Sequence, residues 1–168
     1  MQLAPQGRVP RARYRTSCVV NRKKMYLFGG HDGSRHLNDV HVFSFDTQSW
    51  ATMKTEGSPP IPRDSHVAVS HGNSMFVFGG STGSAMNDFH ELRLDSAAWA
   101  PVKTNSGHTA PCPRFCHVAV SYNDSLFIFG ARGGFAEMSI IFFLQRAPKL
   151  YCIARCGFLD LISVRALL

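Results

Sequence analysis

Four cysteines are the residues in this chain most suited to metal chemistry. They form two Cys-x-x-x-Cys pairs: Cys112 with Cys116, and Cys152 with Cys156. His108 and His117 lie nearby in the sequence, and thiolates and imidazoles are the ligands of structural zinc. The familiar zinc spacing is tighter, however, and the second pair lies in an unrelated part of the chain. We therefore expect no metal site and no cofactor.

Motifs of common enzymes are missing from the sequence. It contains no Gly-x-Ser-x-Gly nucleophile elbow, no phosphate-binding Gly-x-x-x-x-Gly-Lys-[Ser/Thr] loop and no His-Glu-x-x-His zinc helix. The acids Asp32, Asp39, Asp88 and Glu91 recur in register as turn or strand-start residues, so they do not form a catalytic carboxylate pair. We expect no catalytic residue and no enzymatic activity.

Charge is distributed unevenly along the 168 residues, which carry a formal net charge of +7. Residues 25–130 hold six Lys/Arg against nine Asp/Glu, so the basic excess lies at the two ends. Nucleic-acid binding requires a basic stripe on the folded part, and we expect none. The most apolar stretch, Met138 to Leu144, is too short to span a membrane.

The compartment follows from the cysteines and the first residues. Five cysteines, an odd number, without an apolar signal-peptide core, predict reduced thiols in the cytosol or nucleus. The Arg-rich start weakly resembles a transit peptide. A second interpretation is favoured, because Pro10-Arg11-Ala12-Arg13 aligns with Pro60-Ile61-Pro62-Arg63 and so reads as a connector.

The sequence contains internal repeats, which include most of these residues. Three segments align at steps of 50 and 51 residues: Phe28-Gly29-Gly30, Phe78-Gly79-Gly80 and Phe129-Gly130-Ala131. Upstream, an Arg-x-x-His motif recurs from Arg63–His66 to Arg114–His117, whereas Thr16 replaces the histidine in the first copy. Downstream, an Asn-Asp pair and a tryptophan recur at a step of 49. Such a period is typical of repeat architectures.

Each full unit predicts four short strands joined by tight turns. The strands of the first unit are expected at Thr16–Val20, Lys24–Gly29, Asp39–Phe45 and Ser49–Lys54. Those of the second are expected at Ser65–Ser70, Met75–Gly79, Asp88–Leu94 and Ala98–Lys103. Turn residues such as His71-Gly72-Asn73 separate them, and prolines mark extended connectors between units.

The ordered Arg-x-x-His, Phe-Gly-Gly, Asn-Asp and Trp marks resemble the kelch repeat, in a long-period form similar to leucine-zipper-like transcriptional regulator and Rab9-effector-type kelch proteins. The resemblance implies an all-β partial kelch β-propeller with two full four-stranded blades and half of a third. The expected ranges are 8–57, 58–108 and 109–134 within a repeat region 1–134, followed by a divergent tail at 135–168. In that tail we expect one strand at Ile140–Leu144 and a short amphipathic helix at Phe158–Leu168.

Structural roles are expected for the repeated residues. The glycines allow close backbone packing and positive φ, and the tryptophans wedge between blades. The arginines hydrogen-bond carbonyls of adjacent loops, and the histidines are satisfied structural residues rather than ligands or bases. These residues are Gly29, Gly30, Gly79, Gly80, Trp50, Trp99, Arg63, Arg114, His66 and His117.

Function therefore falls to the loops, and kelch resemblance implies binding of other proteins. The expected contact residues are Ser34, Arg35, His36, Ser84 and Ala85, with the connectors Thr55–Pro62 and Thr104–Pro113. Substrate recognition for a ubiquitin-ligase adaptor and scaffolding in a GTPase pathway both fit, and self-association would cover open blade edges. Two alternatives stay open: a truncated or wrongly assembled fragment of a longer kelch protein without independent function, because the pattern breaks abruptly at Ala131, and a fragment of a propeller enzyme.

Overall fold

The computed structural model describes residues 6–103, 111–123, 125–130, 138–144 and 147–151, the last two ranges as backbone only. Every regular element in these ranges is a β-strand. Fourteen strands form three sheets, which we call blades one, two and three in chain order. In the described residues no helix has the length and apolar character needed to span a bilayer.

Each blade is a mainly antiparallel sheet built in the same order. Blade one contains β1 (Gln6–Gly7), β2 (Ser17–Asn21), β3 (Lys24–His31), β4 (His36–Ser44) and β5 (Ser49–Met53). Blade two contains β6 (Glu56–Gly57), β7 (Val67–His71), β8 (Ser74–Ser81), β9 (Ala85–Arg93) and β10 (Ala98–Pro101). Blade three contains β11 (Val118–Tyr122), β12 (Ser125–Phe129), β13 (Met138–Leu144) and β14 (Ala147–Tyr151).

The hairpins between the two inner strands each turn on a residue in left-handed conformation, which Gly and Asn adopt at low cost. Arg22, Gly72 and Asn123 occupy equivalent turns with φ of 52°, 57° and 48°. Alternating apolar residues on either side then place one side-chain row on each face of the sheet. The all-β propeller-like architecture predicted from the repeats is therefore the observed one.

Strand boundaries differ from the prediction at the Gly-Gly motif. Gly29 and Gly30 lie inside β3, where a register shift between Phe28 and Gly30 marks a β-bulge, and pairing continues to His31. As a result β4 begins at His36 rather than at Asp39. The equivalent extension in blade two makes Ala85 the first residue of β9. The bulge absorbs the extra residue, so pairing is not terminated there.

A fifth, outer strand was not foreseen. In blade two Glu56–Gly57 pairs parallel with β10, and in blade one Gln6–Gly7 pairs parallel with β5. Part of the predicted connector Thr55–Pro62 is therefore strand rather than loop. A Cβ on Gly57 would lie 2.3 Å from the carbonyl oxygen of Trp99, so only glycine permits this parallel contact.

Blade three is fuller than the predicted half-blade. Strand β12 pairs with β13, and β13 pairs with β14, giving a four-stranded sheet in the order β11-β12-β13-β14. The predicted strand at Ile140–Leu144 lies within β13, but β14 was not expected. Pairing requires backbone hydrogen bonds and not the kelch marks, which explains why loss of the marks did not end the blade. The predicted helix at Phe158–Leu168 lies outside the described residues.

The hydrophobic core lies between blades. We call the side of each sheet that packs against the next blade its forward face, and the opposite side its backward face. One cluster joins the forward face of blade one (Val19, Tyr26, Phe28, Val40) to the backward face of blade two (Met75, Val77, Leu92, Trp99). A second joins the forward face of blade two (Val69, Phe76, Phe78, Phe89) to Leu126 and Ile128 of blade three. Stacked sheets with shared cores are the basis of propeller architecture.

Strands β2, β7 and β11 are the innermost of their blades and contact one another in turn. Just before each strand lies a residue in left-handed conformation: Arg15, Ser65 and Cys116, with φ of 54°, 55° and 56°. Ser65 N donates to Arg15 O at 2.9 Å, and Cys116 N donates to Ser65 O at 3.0 Å. Ser65 was expected to begin a strand, and Cys116 aligns with it in the next repeat. Both residues instead belong to this backbone ladder, because the turn precedes the strand.

Candidate functional site

The repeated arginines are buried anchors of the connectors. Arg63 donates to Gly79 O (2.9 Å) and Ile61 O (3.1 Å), and its two terminal nitrogens each lie 2.7 Å from an oxygen of Asp88. The residue has no exposed surface. Arg114, also fully buried, donates to Cys112 O and Gly130 O at 3.1 Å. The carbonyls belong to the same connector and to the Gly-Gly strand of the same blade.

Asp39 and Asp88 were expected to be turn or strand-start residues, but they lie within β4 and β9. The two terminal nitrogens of Arg13 donate to the carboxylate oxygens of Asp39 at 2.6 and 3.0 Å, and Nε2 of His41 lies 2.8 Å from the same carboxylate. Partial burial raises the pKa of Asp39, but the hydrogen bonds from Arg13 and His41 outweigh it and hold the pKa at about 2. The same balance holds the pKa of Asp88 far below its ordinary value. These carboxylates neutralise buried guanidinium groups.

The repeated histidines pack over glycine and phenylalanine of the preceding motif. His66 is 4% exposed, and its ring meets Phe28 edge-on with centroids 5.1 Å apart. His117 meets Phe78 in the same way at 5.6 Å. Neither ring forms a hydrogen bond of ordinary geometry among the described residues, although the backbones of Phe28 and Phe78 lie close enough to favour the protonated forms of His66 and His117 slightly. Burial, followed by the charges of nearby arginines, lowers the pKa of His66 to about 3 and that of His117 to about 4.

The paired glycines are required by backbone that passes close to them. A Cβ on Gly80 would lie 2.7 Å from Asp64 O, and one on Gly79 would lie 2.8 Å from Arg114 O. Gly29 and Gly30 occupy the same environment in blade one, with φ of 63° and 95°. No L side chain fits these positions without moving a connector. The glycines therefore allow each connector to lie directly against the sheet.

The two tryptophans have equivalent positions and different surroundings. Trp99 is 3% exposed and packs on Phe28 of blade one with ring centroids 5.1 Å apart. It therefore fills the space between blades one and two. Trp50 is only half-buried and packs on Phe43 of its own blade.

A polar cleft lies at the end of the blades where the connectors meet the β3–β4 and β8–β9 hairpins. We call this end the loop face. The cleft has a volume of about 350 Å³ and is lined by Tyr14, Arg15, His31, His36, Asp64, Ser65, Ser81, Gly83, Phe115 and Cys116. All three blades or their connectors contribute to it. It is the point on the loop face where side chains from successive repeats converge.

Asp64 is the central charge of this cleft. Its side chain is 6% exposed, with His36 Nε2 at 3.4 Å and Arg15 Nη1 at 3.9 Å from its carboxylate. The Arg15 side chain is 62% exposed and also lies over the Tyr14 ring. A nearly buried carboxylate beside an exposed guanidinium offers both an acceptor and a donor to a ligand.

Aromatic and imidazole rings form one wall of the cleft. The Tyr14 hydroxyl lies 3.0 Å from His31 Nδ1, and the His31 and His36 rings meet edge-on with centroids 5.0 Å apart. Tyr14 remains 49% exposed. Amphipathic rings of this kind, ordered by neighbours and open to solvent, are common anchors at protein interfaces.

Of the five predicted contact residues, only His36 lines the cleft. Ser34 and Arg35 lie at the tip of the β3–β4 hairpin, where their backbone N–H groups each donate to Asp32 Oδ1 at 3.0 Å. These backbone hydrogen bonds hold the pKa of Asp32 at about 2. Ser84 accepts from Thr82 N at 3.2 Å, and Ala85 begins β9.

The cleft residues that sequence reasoning missed carry a recognisable signal. The two positions after each repeated arginine are Tyr14-Arg15, Asp64-Ser65 and Phe115-Cys116. They vary from copy to copy beside residues that repeat. A varying position next to a constant anchor is where a scaffold can change its surface without changing its fold.

The cysteines and the remaining candidates show no metal site in the described residues. Cys112 and Cys116 are exposed free thiols, and in the described ranges no three His, Cys, Asp or Glu side chains are grouped as metal ligands would be. His108, Cys152, Cys156 and the connector residues 104–110 lie outside the described residues. At the opposite end, the turn face, a second cleft is lined by Arg22, Lys23 and Lys24, with Asp46 and Asp95 among its acids.

Comparisons with known proteins agree with the repeat pattern. A family model described as the KLHDC2/KLHL20/DRC7 Kelch-repeats domain matches residues 1–131. The chain is 32% identical over 127 residues to the Rho GTPase-activating protein gacHH of Dictyostelium discoideum, covering 72% of this chain and 8% of that protein.

Two further relatives are similar over the same part of the chain, and one of them is named for its kelch domain. The chain is 36% identical over 134 residues to Kelch domain-containing protein 3 of Mus musculus, covering 74% of this chain and 35% of the relative. It is 34% identical over 133 residues to the leucine-zipper-like transcriptional regulator 1 homolog of Drosophila melanogaster, covering 76% and 14%. The chain therefore spans between 8% and 35% of the length of these three relatives.

Proposed function

Because the chain belongs to the kelch-repeat family, whose domains are protein–protein interaction modules, we propose that it recognises another protein through the loop-face cleft. The observation that carries this proposal is the convergence of Tyr14, Arg15, His36 and Asp64 on one cleft. These side chains are held by a buried scaffold, yet two of them are exposed enough to contact a partner.

The charges and rings of the cleft favour a polar polypeptide segment as ligand. Arg15 can donate two hydrogen bonds to a carboxylate or to backbone carbonyls, and Asp64 accepts from amide or basic groups. Tyr14 supplies a flat surface for a side chain of the partner. Such alternation of donor, acceptor and ring suits an extended peptide better than a small apolar compound.

Kelch repeats are generally interaction domains rather than enzymes. In a larger assembly, we propose, the chain acts as the recognition arm of a ubiquitin-ligase adaptor or as a scaffold in a GTPase pathway. The second role is supported by the similarity to a protein named as a Rho GTPase-activating protein. We further propose action in the cytosol or nucleus, which the free thiols Cys18, Cys112 and Cys116 support.

The test compares two arginines with matched backbones. Arg15 and Arg22 are both exposed, with φ of 54° and 52°, but they lie on the loop face and the turn face respectively. Proteins captured from cells by the tagged full chain are quantified for wild type, Arg15→Ala and Arg22→Ala. The proposal expects at least one captured protein to bind Arg15→Ala at least about tenfold less, as for one lost charged contact, and Arg22→Ala normally.

Equal loss with both variants, or none with Arg15→Ala, would reject the loop-face cleft as the binding site. Ubiquitin-ligase subunits among the captured proteins would favour the adaptor role, and a small GTPase would favour the scaffold role. Cell fractionation of the tagged chain would check the compartment.

Self-association is a second proposed interaction, favoured by a separate observation. Val118, Val120, Tyr122 and Phe129 of blade three are between 52% and 64% exposed. Contiguous exposed apolar surface of this kind typically marks an interaction site. We propose that a second copy of the chain covers it.

A further inference from the structure

The exposed apolar side chains of blade three are the forward face of that blade. In β11 the register pairs Val118 with Phe129 and Val120 with Phe127, so these four side chains share one side of the sheet. They occupy the repeat positions of Val67, Phe78, Val69 and Phe76, which form the forward face of blade two. The surface is therefore a third copy of a surface that is used twice inside the chain.

The exposed fractions of equivalent residues show that the forward face of blade three lacks a covering blade. Val19 and Val69, the forward valines of blades one and two, are 7% and 6% exposed, whereas Val120 is 60% exposed. Phe28 and Phe78 are 0% and 1% exposed, whereas Phe129 is 52% exposed. The first two faces are covered by the backward face of the following blade, whereas no described residue covers the third.

The chain carries a free copy of the covering surface at its other end. The backward face of blade two, which seals blade one, is formed by Met75, Val77, Leu92 and Trp99, with Leu94 beside them. The equivalent residues of blade one are Met25, Leu27, Phe43, Trp50 and Phe45. Phe43 is buried beneath Phe45 and Trp50 of its own blade, whereas Met25, Leu27 and Trp50 are half-buried and Phe45 is 46% exposed. Among the described residues, no other blade covers this face.

We propose that two copies of the chain associate head-to-tail, the forward face of blade three in each copy packing on the backward face of blade one in the other. The inference rests on the proposed self-association and specifies its geometry. The two contacts are identical, and each repeats the packing between blades one and two. The two-copy ring has six blades.

The number of blades agrees with an assembly of two copies. Closed propellers contain about four to eight blades, and the described residues form three. Two copies of these residues give six blades, which lies within that range. A head-to-tail contact that closes on itself produces a ring rather than an open filament.

Polar contacts near the axis support the same arrangement. The backbone ladder from Arg15 to Ser65 to Cys116 advances by one hydrogen bond per blade. If this ladder continued into a second copy, Arg15 N of the second copy would donate to Cys116 O of the first. Ser121 Oγ donates to Ser70 O of the preceding blade at 3.0 Å, a cross-blade contact of the same inner strands.

The test uses one variant for each face of the full chain. Val120→Asp alters the forward face and Phe45→Asp the backward face, while Ile61→Asp is the control, because Ile61 is 53% exposed but lies in a connector between blades. Circular dichroism verifies folding of each variant. Sedimentation velocity then measures mass across a concentration series.

Wild type and Ile61→Asp are expected to form dimers. Val120→Asp alone and Phe45→Asp alone are each expected to dissociate, with the dimer dissociation constant raised at least about 100-fold by an unpaired buried carboxylate. The mixture of the two variants is expected to form a one-to-one complex. Each variant keeps one intact face, and the two intact faces are complementary.

Three results would overturn the inference. A dimer that persists in either single variant would show like faces pairing, and a monomeric mixture would show that the two faces do not meet. In both cases self-association would stand and only its geometry would fail. A wild-type chain that stays monomeric up to about 100 μM, well above typical interface dissociation constants, would reject the self-association itself. None of these results bears on the loop-face cleft, which is tested with Arg15→Ala.

Discussion

Acidification is expected to destabilise the chain through its two buried histidines. His66 and His117 have pKa values of about 3 and about 4 in the folded protein, against an ordinary value of 6.5. The unfolded chain therefore binds more protons than the folded chain below pH 6.5. The neutral rings make their full contribution to the free energy of unfolding above pH 6.5, and this contribution is lost as the pH drops towards the pKa values of the folded protein.

Between pH 7 and pH 5, the size of this loss of stability depends only on the pKa of the two histidines in the unfolded chain. Both folded values lie below 5, so each histidine gains its proton only on unfolding between pH 7 and pH 5. Each pH unit below 6.5 costs about 1.4 kcal/mol per group, which gives about 2 kcal/mol per histidine at pH 5. The pair together should lower the free energy of unfolding by about 4 kcal/mol, a large part of a typical domain's stability.

Urea denaturation at pH 7, 6 and 5, followed by the fluorescence of Trp50 and Trp99, measures this loss. His66→Gln and His117→Gln should each remove about half of the pH dependence, whatever they do to stability at pH 7. Asp39, with a folded pKa of about 2, changes charge below this interval and does not confound it. A free energy of unfolding that is equal at pH 7 and pH 5, or a pH dependence unaffected by both substitutions, would show that the two histidines are not the source of acid sensitivity.

Two substitutions probe the scaffold by urea denaturation. Gly80→Ala should lower the free energy of unfolding by about 2–4 kcal/mol, because its Cβ would meet Asp64 O at 2.7 Å. The control Gly33→Ala, with a similar φ and open surroundings, should lower it by about 1 kcal/mol. Equal losses would show that the predicted clash at Gly80 does not occur. Asp88→Asn should cost about 3–5 kcal/mol by leaving the buried Arg63 guanidinium without its counter-charge, while Lys23→Ala, in an exposed ion pair, should cost under about 1 kcal/mol. A mild effect of Asp88→Asn would show that Arg63 is neutralised by other groups.

The repeat pattern predicted the fold because it is carried by local features. Phe-Gly-Gly, the turn residues and the alternating apolar strands each act within a few residues, and the structure repeats them in register. The parallel strands β1 and β6 were missed because two residues carry no periodicity of their own. Their presence depends on Gly7 and Gly57 meeting a strand about 40 residues away.

Partners separated in sequence explain the other differences. The carbonyl hydrogen bonds expected for Arg63 leave out its pairing with Asp88, 25 residues later, which depends on the strand that lies beside the connector. Trp50 and Trp99 are the same residue at the same repeat position, yet only Trp99 has a preceding blade in the structure to pack on. Neither difference can be read from local sequence.

The cleft was the least predictable feature. Sequence reasoning favoured the hairpin tips, where Ser34 and Arg35 lie, since tips are exposed and vary in length. The structure places the convergence of side chains one layer deeper, at the left-handed turn before each inner strand. Tyr14, Asp64 and Phe115 meet there because the blades bring equivalent turns to one point, which is a property of the assembled sheets.

Photo-crosslinking in cells tests whether the loop-face cleft binds another protein. A photoreactive amino acid replaces Tyr14 in the cleft or Arg22 on the turn face, and crosslinked peptides are identified by mass spectrometry. We expect a distinct partner peptide to be crosslinked at Tyr14 and to be absent at Arg22. Partner crosslinks at Arg22 alone, or at neither position while the partner is still captured by the chain, would show that the cleft is not the binding site.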